Sequence, residues 1–159
     1  MTAGIVVGVD DSVGARAALR WALLEGARRH VTVTVLHAYH LDIAWIDRGD
    51  IERWTTMEQH SAEVTLGHVL EDVTAPPACD LQACVVDGLP AEVLIAASET
   101  AAMLVVGARG RGRLTGLLFG SVSQRCVERA NCPVVVVPTA RDVAPRDELG
   151  PSAVGAAPS

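Results

Sequence analysis

The sequence predicts an α/β fold, a doubly wound parallel sheet with helices on both of its faces. Two observations support this prediction. Short apolar runs typical of buried strands alternate along the chain with stretches of helical spacing, which gives five strands and four helices. A loop rich in glycine and arginine (ARGRGRLTGLLF) follows the fourth strand, and ligands bind such sheets beyond the carboxyl ends of the strands.

The first strand is predicted at Gly4–Val9, because the run GIVVGV is continuous and rich in β-branched residues. Ser12 stands at the N-cap position of a predicted helix, Val13–His30. A second strand follows at Val31–Ala38. A strand, a helix and a strand within so few residues imply parallel strands joined by a right-handed crossover.

The next helix is predicted at Ile51–Val73 and ends before Pro76. The preceding segment, Leu41–Ile51, is acidic and fits no element clearly. The expected apolar face of the helix consists of Trp54, Met57, Val64 and Val69/Leu70.

The third strand is predicted at Leu81–Val86, and the turn Gly88-Leu89-Pro90 leads into a helix at Ala91–Thr100. Met103–Gly107 is the fourth strand. After the glycine-rich loop come the last helix and strand, Ser121–Ala130 and Val134–Val137. Residues 1–138 therefore form one predicted domain, and the Ala, Pro, Gly and Ser content of 139–159 predicts a disordered tail.

Composition excludes several functions. None of the 13 basic residues is lysine, so Schiff-base chemistry and phosphate sites built on a lysine are excluded. The net charge of −6 disfavours nucleic acid and anionic membranes as partners. We expect no membrane-spanning helix and no signal peptide. The cysteines form no C-x-x-C pair, so we expect reduced core thiols in a cytoplasmic protein.

The glycine-rich loop predicts an anion site. Gly107, Gly110 and Gly120-Ser121 fit the pattern G-x2-G-x9-G-S. Glycines let a backbone approach a ligand closely, and a helix that begins at Ser121 presents unpaired N–H groups and a positive dipole end. Ser123 adds a second hydroxyl. One of Arg109, Arg111 and Arg113 could also clamp phosphate.

Three segments resemble the universal stress protein family: GARGRGRLTGLLFGSVSQRCVERANCPVVVVP over residues 107–138, IVVGVDDSVGARAALRWA near the start, and VVDGLPAEVLIAAS between them. The resemblance implies a Rossmann-like nucleotide-binding fold with strand order 3-2-1-4-5. Because the glycine motif is complete, it also implies binding of ATP with Mg²⁺. The residues implied to contact the nucleotide are Asp10 at the adenine or ribose, the backbone of Ala38 at adenine, and Gly107, Gly110, Gly120, Ser121, Val122 and Ser123 around ribose and phosphates.

The resemblance further implies a homodimer through the fifth strand, Val134–Val137, which as an exposed apolar edge would be a liability. Asp11 departs from the small residue that many members carry there, and its charge would repel phosphate unless a metal ion or a loop arginine compensates. Asp87 could approach the ribose or simply form a turn. Trp45 and Trp54 could cover adenine, although core packing is the simpler expectation.

The predicted function is that of an ATP-binding regulatory protein, which senses or sequesters adenine nucleotide and signals through a dimer or a partner. Two alternatives remain. One is an enzyme of the nucleotide α-hydrolase type, a slow ATPase or an adenylating ligase, although the S-G-G-x-D-S and H-I-G-H motifs of such ligases are not present. The other is an interaction module whose loop binds no ligand.

Overall fold

The computed structural model describes residues 3–42, 50–110 and 119–139. The predicted tail beyond Thr139, most of Leu41–Ile51 with Trp45, and Arg111 and Arg113 lie outside these ranges. Strands and helices follow one another in the predicted order. They are β1 (Ile5–Gly8), α1 (Val13–Arg29), β2 (Val33–Tyr39), α2 (Ile51–Glu71), β3 (Leu81–Asp87), α3 (Pro90–Ala97), β4 (Met103–Gly107), α4 (Ser121–Arg129) and β5 (Val134–Val137).

The five strands form one parallel sheet in the order β3-β2-β1-β4-β5, which confirms the predicted doubly wound fold. From β1 the chain crosses to β2 on one side, and it later returns to β4 on the other. The strand order therefore reverses next to β1, and a crevice opens between the carboxyl ends of β1 and β4.

Two apolar layers hold the sheet between its helices. On one face, α1 and α2 pack on alternate strand residues such as Val7 and Val35. On the other face, α3 and α4 contribute Leu94 and Cys126, which pack on Val6, Leu36 and neighbouring residues of β4. The central strands β1, β2 and β4 thus have helix cover on both sides, as their continuous apolar runs predict, whereas β3 is largely exposed.

The predicted apolar face of α2 is partly wrong. The helix buries Ala62, Leu66 and Val69 against the sheet, whereas the side chains of Trp54, Met57 and Val64 are 46%, 51% and 43% exposed. Both sets have helical spacing, but they lie on nearly opposite sides of the helix. Spacing alone could not show which set faces the sheet. Core packing of Trp54 is therefore also wrong.

All four cysteines are free thiols, as the sequence predicts, but their locations differ. Cys126 is fully buried beneath α4, and burial raises its pKa from 9.0 to about 11. Cys84 is exposed on β3, which is an edge strand of the sheet, so its predicted place in the core is wrong. Within the described residues, no helix has both the length and the apolar character needed to cross a bilayer.

Candidate functional site

A cavity of about 260 Å³ lies at the carboxyl ends of β1, β2 and β4, on the side of the sheet that α3 and α4 cover. This is slightly below the usual size of small-molecule pockets, roughly 300–1,000 Å³. The structure brings all the predicted nucleotide-contacting residues together around it. They are Asp10, Ala38, Gly107, Gly110, Gly120, Ser121, Val122 and Ser123.

Asp10 is held in place where β1 leads into α1. Its Oδ1 accepts a hydrogen bond from the Ser12 N–H at 3.1 Å. Ser12 in turn caps α1, because its Oγ accepts from the Ala15 N–H at 3.1 Å, which confirms the predicted N-cap. The Asp10 carboxylate therefore lines the cavity in a fixed orientation rather than on a free loop.

Asp11 does not line the cavity; it pairs with a cation that sequence reasoning missed. Its Oδ1 lies 2.7 Å from Nη2 of Arg16, whose Nε lies 2.7 Å from Oδ2 of Asp72. The hydrogen bonds with Asp11 and then Asp72 raise the pKa of Arg16. The positive charge of Arg16 on α1 thus offsets the negative charge of Asp11. The sequence had suggested that a metal ion or a loop arginine would supply this compensation.

The three glycines of the motif differ in what a side chain at each position would contact. A Cβ on Gly107 would lie 2.6 Å from the carbonyl carbon of Gly14, so the end of β4 and the start of α1 touch backbone to backbone. A Cβ on Gly110 would lie 2.8 Å from Oδ2 of Asp10, so this glycine leaves room for the carboxylate. A Cβ on Gly120 would meet its nearest atom at 3.5 Å, an ordinary contact.

The start of α4 has the features expected of an anion site. Gly120 occupies the N-cap position without a side-chain hydrogen bond, and the first turn contains no acidic residue. The N–H of Gly120 donates to the Ala108 carbonyl at 2.7 Å. The N–H groups of the first helical residues have no partner within a helix, and two of these residues, Ser121 and Val122, line the cavity at the positive end of the helix dipole.

Ser123 has a structural task that the sequence did not reveal. It is 3% exposed, and its Oγ–H is shared between the carbonyl oxygens of Ala108 at 3.0 Å and Gly120 at 2.9 Å. The hydroxyl therefore ties the start of α4 to the end of β4. Its proton is engaged within the protein, so the expectation that it donates to a ligand does not fit this geometry.

The backbone of Ala38 lies at the opposite end of the cavity, just beyond the last residue of β1. The neighbouring His37 ring is 8% exposed, and its Nδ1–H donates to the Val9 carbonyl at 2.8 Å. Since a carbonyl can only accept, Nδ1 carries the proton in this arrangement.

Sequence reasoning missed the apolar wall of the cavity. Leu36, Leu94, Val106, Pro90 and Phe119 all line it. A glycine inside a predicted strand, such as Gly8, can indicate that another group packs closely against that strand. Here the group is Leu94, since a Cβ on Gly8 would lie 2.6 Å from one of its methyl groups. The wall makes one part of the cavity suited to a flat apolar ring, while Asp10 and the start of α4 make the other part polar.

Two candidate residues do not reach the cavity. Asp87 ends β3 with its side chain 62% exposed and 3.9 Å from Nδ1 of His40. It precedes Gly88, whose φ of +144° favours glycine in the turn. Trp54 is not among the residues around the cavity. Arg109 does line it.

Comparisons with known proteins agree with this architecture. The model of the universal stress protein family matches residues 1–138. Universal stress protein Rv2005c of Mycobacterium tuberculosis is 32% identical over 157 residues, which cover 96% of this chain and 53% of that protein. The chain thus spans about half the length of the curated relatives it matches.

Solved structures show the same fold. The universal stress protein UspA from Lactobacillus plantarum has a TM-score of 0.72 at 23% identity, over 85% of this chain and 97% of that one. The universal stress protein from Archaeoglobus fulgidus in complex with dAMP has a TM-score of 0.51 at 25% identity, over 85% of this chain and 97% of that one.

Proposed function

The chain belongs to the universal stress protein family, and on that premise we propose that it binds ATP with Mg²⁺ and acts as a regulatory protein. The observation that carries the proposal is the cavity itself. An apolar slot at one end meets an uncapped helix N-terminus at the other, with a single fixed carboxylate between them among the described residues. The relative from A. fulgidus that holds dAMP supports an adenine nucleotide as the ligand.

The base would occupy the apolar slot. Leu36, Leu94 and Val106 offer aliphatic surface for the faces of a purine, and burying that surface drives binding. The backbone of Ala38 would meet the polar edge of the adenine ring. Carboxylates commonly accept hydrogen bonds from ribose hydroxyls, and Asp10, oriented by Ser12, is placed to do so.

The phosphates would lie at the start of α4. Ser121 and Val122 would donate backbone N–H groups, and the Ser121 hydroxyl would add a third donor. Gly110 leaves the approach open, since it has no Cβ. Mg²⁺ bound to the phosphates would supply further positive charge and needs only oxygen ligands. The absence of lysine fits this arrangement, because every donor is a backbone group or a hydroxyl.

We propose sensing or sequestration rather than turnover as the primary role. Hydrolysis requires a positioned base or a group that orients water. Asp10 is the one carboxylate among the described residues around the cavity, and its Oδ1 is already engaged by Ser12. Release of pyrophosphate or phosphate at a rate that depends on Asp10 would instead favour the enzyme alternative.

We also propose a cytoplasmic location, where the four free thiols would persist. We further propose that the chain forms a homodimer through β5. Each valine of Val134–Val137 is only partly buried. The carbonyl groups of Pro133 and Val137 face β4, so the N–H groups of Val134 and Val136 point to the open edge. Val136→Pro would remove one edge donor and leave the ladder to β4 intact. Sedimentation should then show a monomer, whereas a monomeric wild-type protein would contradict the dimer.

Nucleotide binding is tested by copurification and thermal stability. Purified protein, denatured and analysed by chromatography, should release an adenine nucleotide. Added Mg-ATP should raise the melting temperature, because a ligand at 100 times its Kd stabilises the native state by about 2.7 kcal/mol. No copurified nucleotide together with an unchanged melting curve at millimolar Mg-ATP would favour an interaction module instead.

A further inference from the structure

We propose that His37 is a positioning residue for the nucleotide base: by occupying the Val9 carbonyl, it keeps the backbone N–H of Ala38 available to a ring nitrogen of the ligand. This inference rests on the proposed function only for the identity of the ligand. The hydrogen-bonding arrangement itself belongs to the protein alone and can be tested without nucleotide.

The pairing of β1 with β2 shows which bond is diverted. Ile5 N–H donates to Thr32 O at 2.9 Å, and Val9 N–H donates to Leu36 O at 3.0 Å. Because donors and acceptors alternate along a parallel ladder, the next bond would run from the Ala38 N–H to the Val9 carbonyl. Among the hydrogen bonds of the described residues, that bond is not formed.

The His37 ring takes the place of that missing bond. Its Nδ1–H donates to the Val9 carbonyl at 2.8 Å, in a largely buried position. The side chain thus satisfies the last carbonyl at this end of β1, which would otherwise pair with the backbone of Ala38 or remain unpaired and costly. The strands β1 and β2 therefore separate one hydrogen bond earlier than they would if the Val9 carbonyl accepted from the Ala38 N–H.

The consequence for a ligand concerns Ala38. In a parallel strand, the N–H and C=O of one residue point to the same neighbour, so both groups of Ala38 point to the side where β1 has ended. Ala38 lines the cavity beside Leu36. A donor and an acceptor at the end of an apolar slot suit a flat ring that carries an acceptor nitrogen next to an amino group. Adenine has that pair of groups in N1 and N6.

Amide hydrogen exchange of the ligand-free protein tests the positioning role directly. We expect the Ala38 amide to exchange quickly in the wild type and to become protected in His37→Leu, where the Val9 carbonyl is free to accept from it. His37→Asn keeps a donor near the position of Nδ1 and should behave like the wild type. Equal protection of Ala38 in all three proteins would overturn the proposal, as would identical behaviour of the leucine and asparagine variants.

A nucleotide cycle tests the consequence for binding. In 1-deaza-ATP, a C–H replaces N1, so the ligand cannot accept from Ala38. We expect the wild type to bind it roughly 3- to 10-fold more weakly than ATP, the worth of one hydrogen bond. His37→Leu should bind ATP more weakly than the wild type by a similar factor, and it should bind 1-deaza-ATP about as well as it binds ATP. His37→Asn should again bind ATP more tightly than 1-deaza-ATP, by the same factor as the wild type.

The two proposals fail in different ways. If 1-deaza-ATP loses the same factor in the wild type and in His37→Leu, the positioning role is overturned and nucleotide binding stands. If the wild type binds neither ligand, the proposed function fails, and the hydrogen-exchange result still decides whether His37 controls Ala38.

Discussion

Replacement of Gly107 by alanine should destabilise the protein through a clash between two backbones. The new Cβ would lie 2.6 Å from the carbonyl carbon of Gly14 and 2.7 Å from its oxygen, with the Ala15 nitrogen at 3.1 Å. None of these atoms is the end of a flexible side chain. The start of α1 would have to move away from β4, in a region so closely packed that a Cβ on Gly14 would itself clash with the carbonyl oxygen of Arg109.

The magnitude follows from the cost of overpacking. Inserting a methyl group into a tightly packed site typically costs about 1–3 kcal/mol, and the short distances to Gly14 place Gly107→Ala in the upper part of that range. For a domain of this size, 1 kcal/mol corresponds to a shift in Tm of roughly 3–5 °C. We therefore expect a decrease in Tm of about 6 °C or more.

Chemical denaturation with a matched control tests this reasoning. Gly120→Ala places the same methyl group in the same motif, but its nearest neighbour lies at 3.5 Å. Its φ of −76° suits alanine. We expect Gly120→Ala to change the free energy of unfolding by less than about 1 kcal/mol. If Gly107→Ala is as stable as Gly120→Ala, the close approach of β4 and α1 is not as the structure has it.

Three further outcomes test the fold and the loop. Leu66→Ala should cost about 2–5 kcal/mol of unfolding free energy and the exposed Met57→Ala less than about 0.5 kcal/mol; equal costs in urea denaturation would mean that the face of α2 is misassigned. Ser123→Ala should cost about 1 kcal/mol, the net worth of a typical hydrogen bond, because the carbonyls of Ala108 and Gly120 keep backbone N–H donors, while Ser121→Ala should leave stability nearly unchanged. Burial raises the pKa of Cys126 to about 11, so its contribution to stability is complete below pH 9 and is lost as the pH rises through 11. The destabilisation caused by Cys126→Ala should therefore shrink between pH 9 and 11, and a difference that is constant with pH would contradict this.

Local patterns in the sequence were enough to predict the element order. Apolar runs such as Val134–Val137 and the cap at Ser12 act within a few residues, so they are visible before folding. The strand order, by contrast, came from the family resemblance. The face of α2 was mispredicted because the exposed set around Met57 has the same helical spacing as the buried set around Leu66.

The site was predictable as a set of residues but less so in the task of each residue. Gly107 was expected to make room for a ligand, yet its space is taken by Gly14. Asp72 pairs with Arg16 across 56 positions of the chain, and no spacing rule connects residues so far apart. The bond from His37 to Val9 spans 28 positions and was equally hidden from the sequence, because it depends on where β1 stops relative to β2.

The most direct test of the account is calorimetric titration of the purified protein with Mg-ATP. We predict saturable binding to one site per chain in the wild type and in Gly120→Ala. In Gly120→Leu, the larger side chain would start 3.5 Å from the backbone of Gly110, another residue of the cavity lining, so this variant should lose binding in protein that circular dichroism shows to be folded. No saturable heat from the wild type at millimolar Mg-ATP, or undiminished binding by folded Gly120→Leu, would contradict nucleotide binding at this cavity.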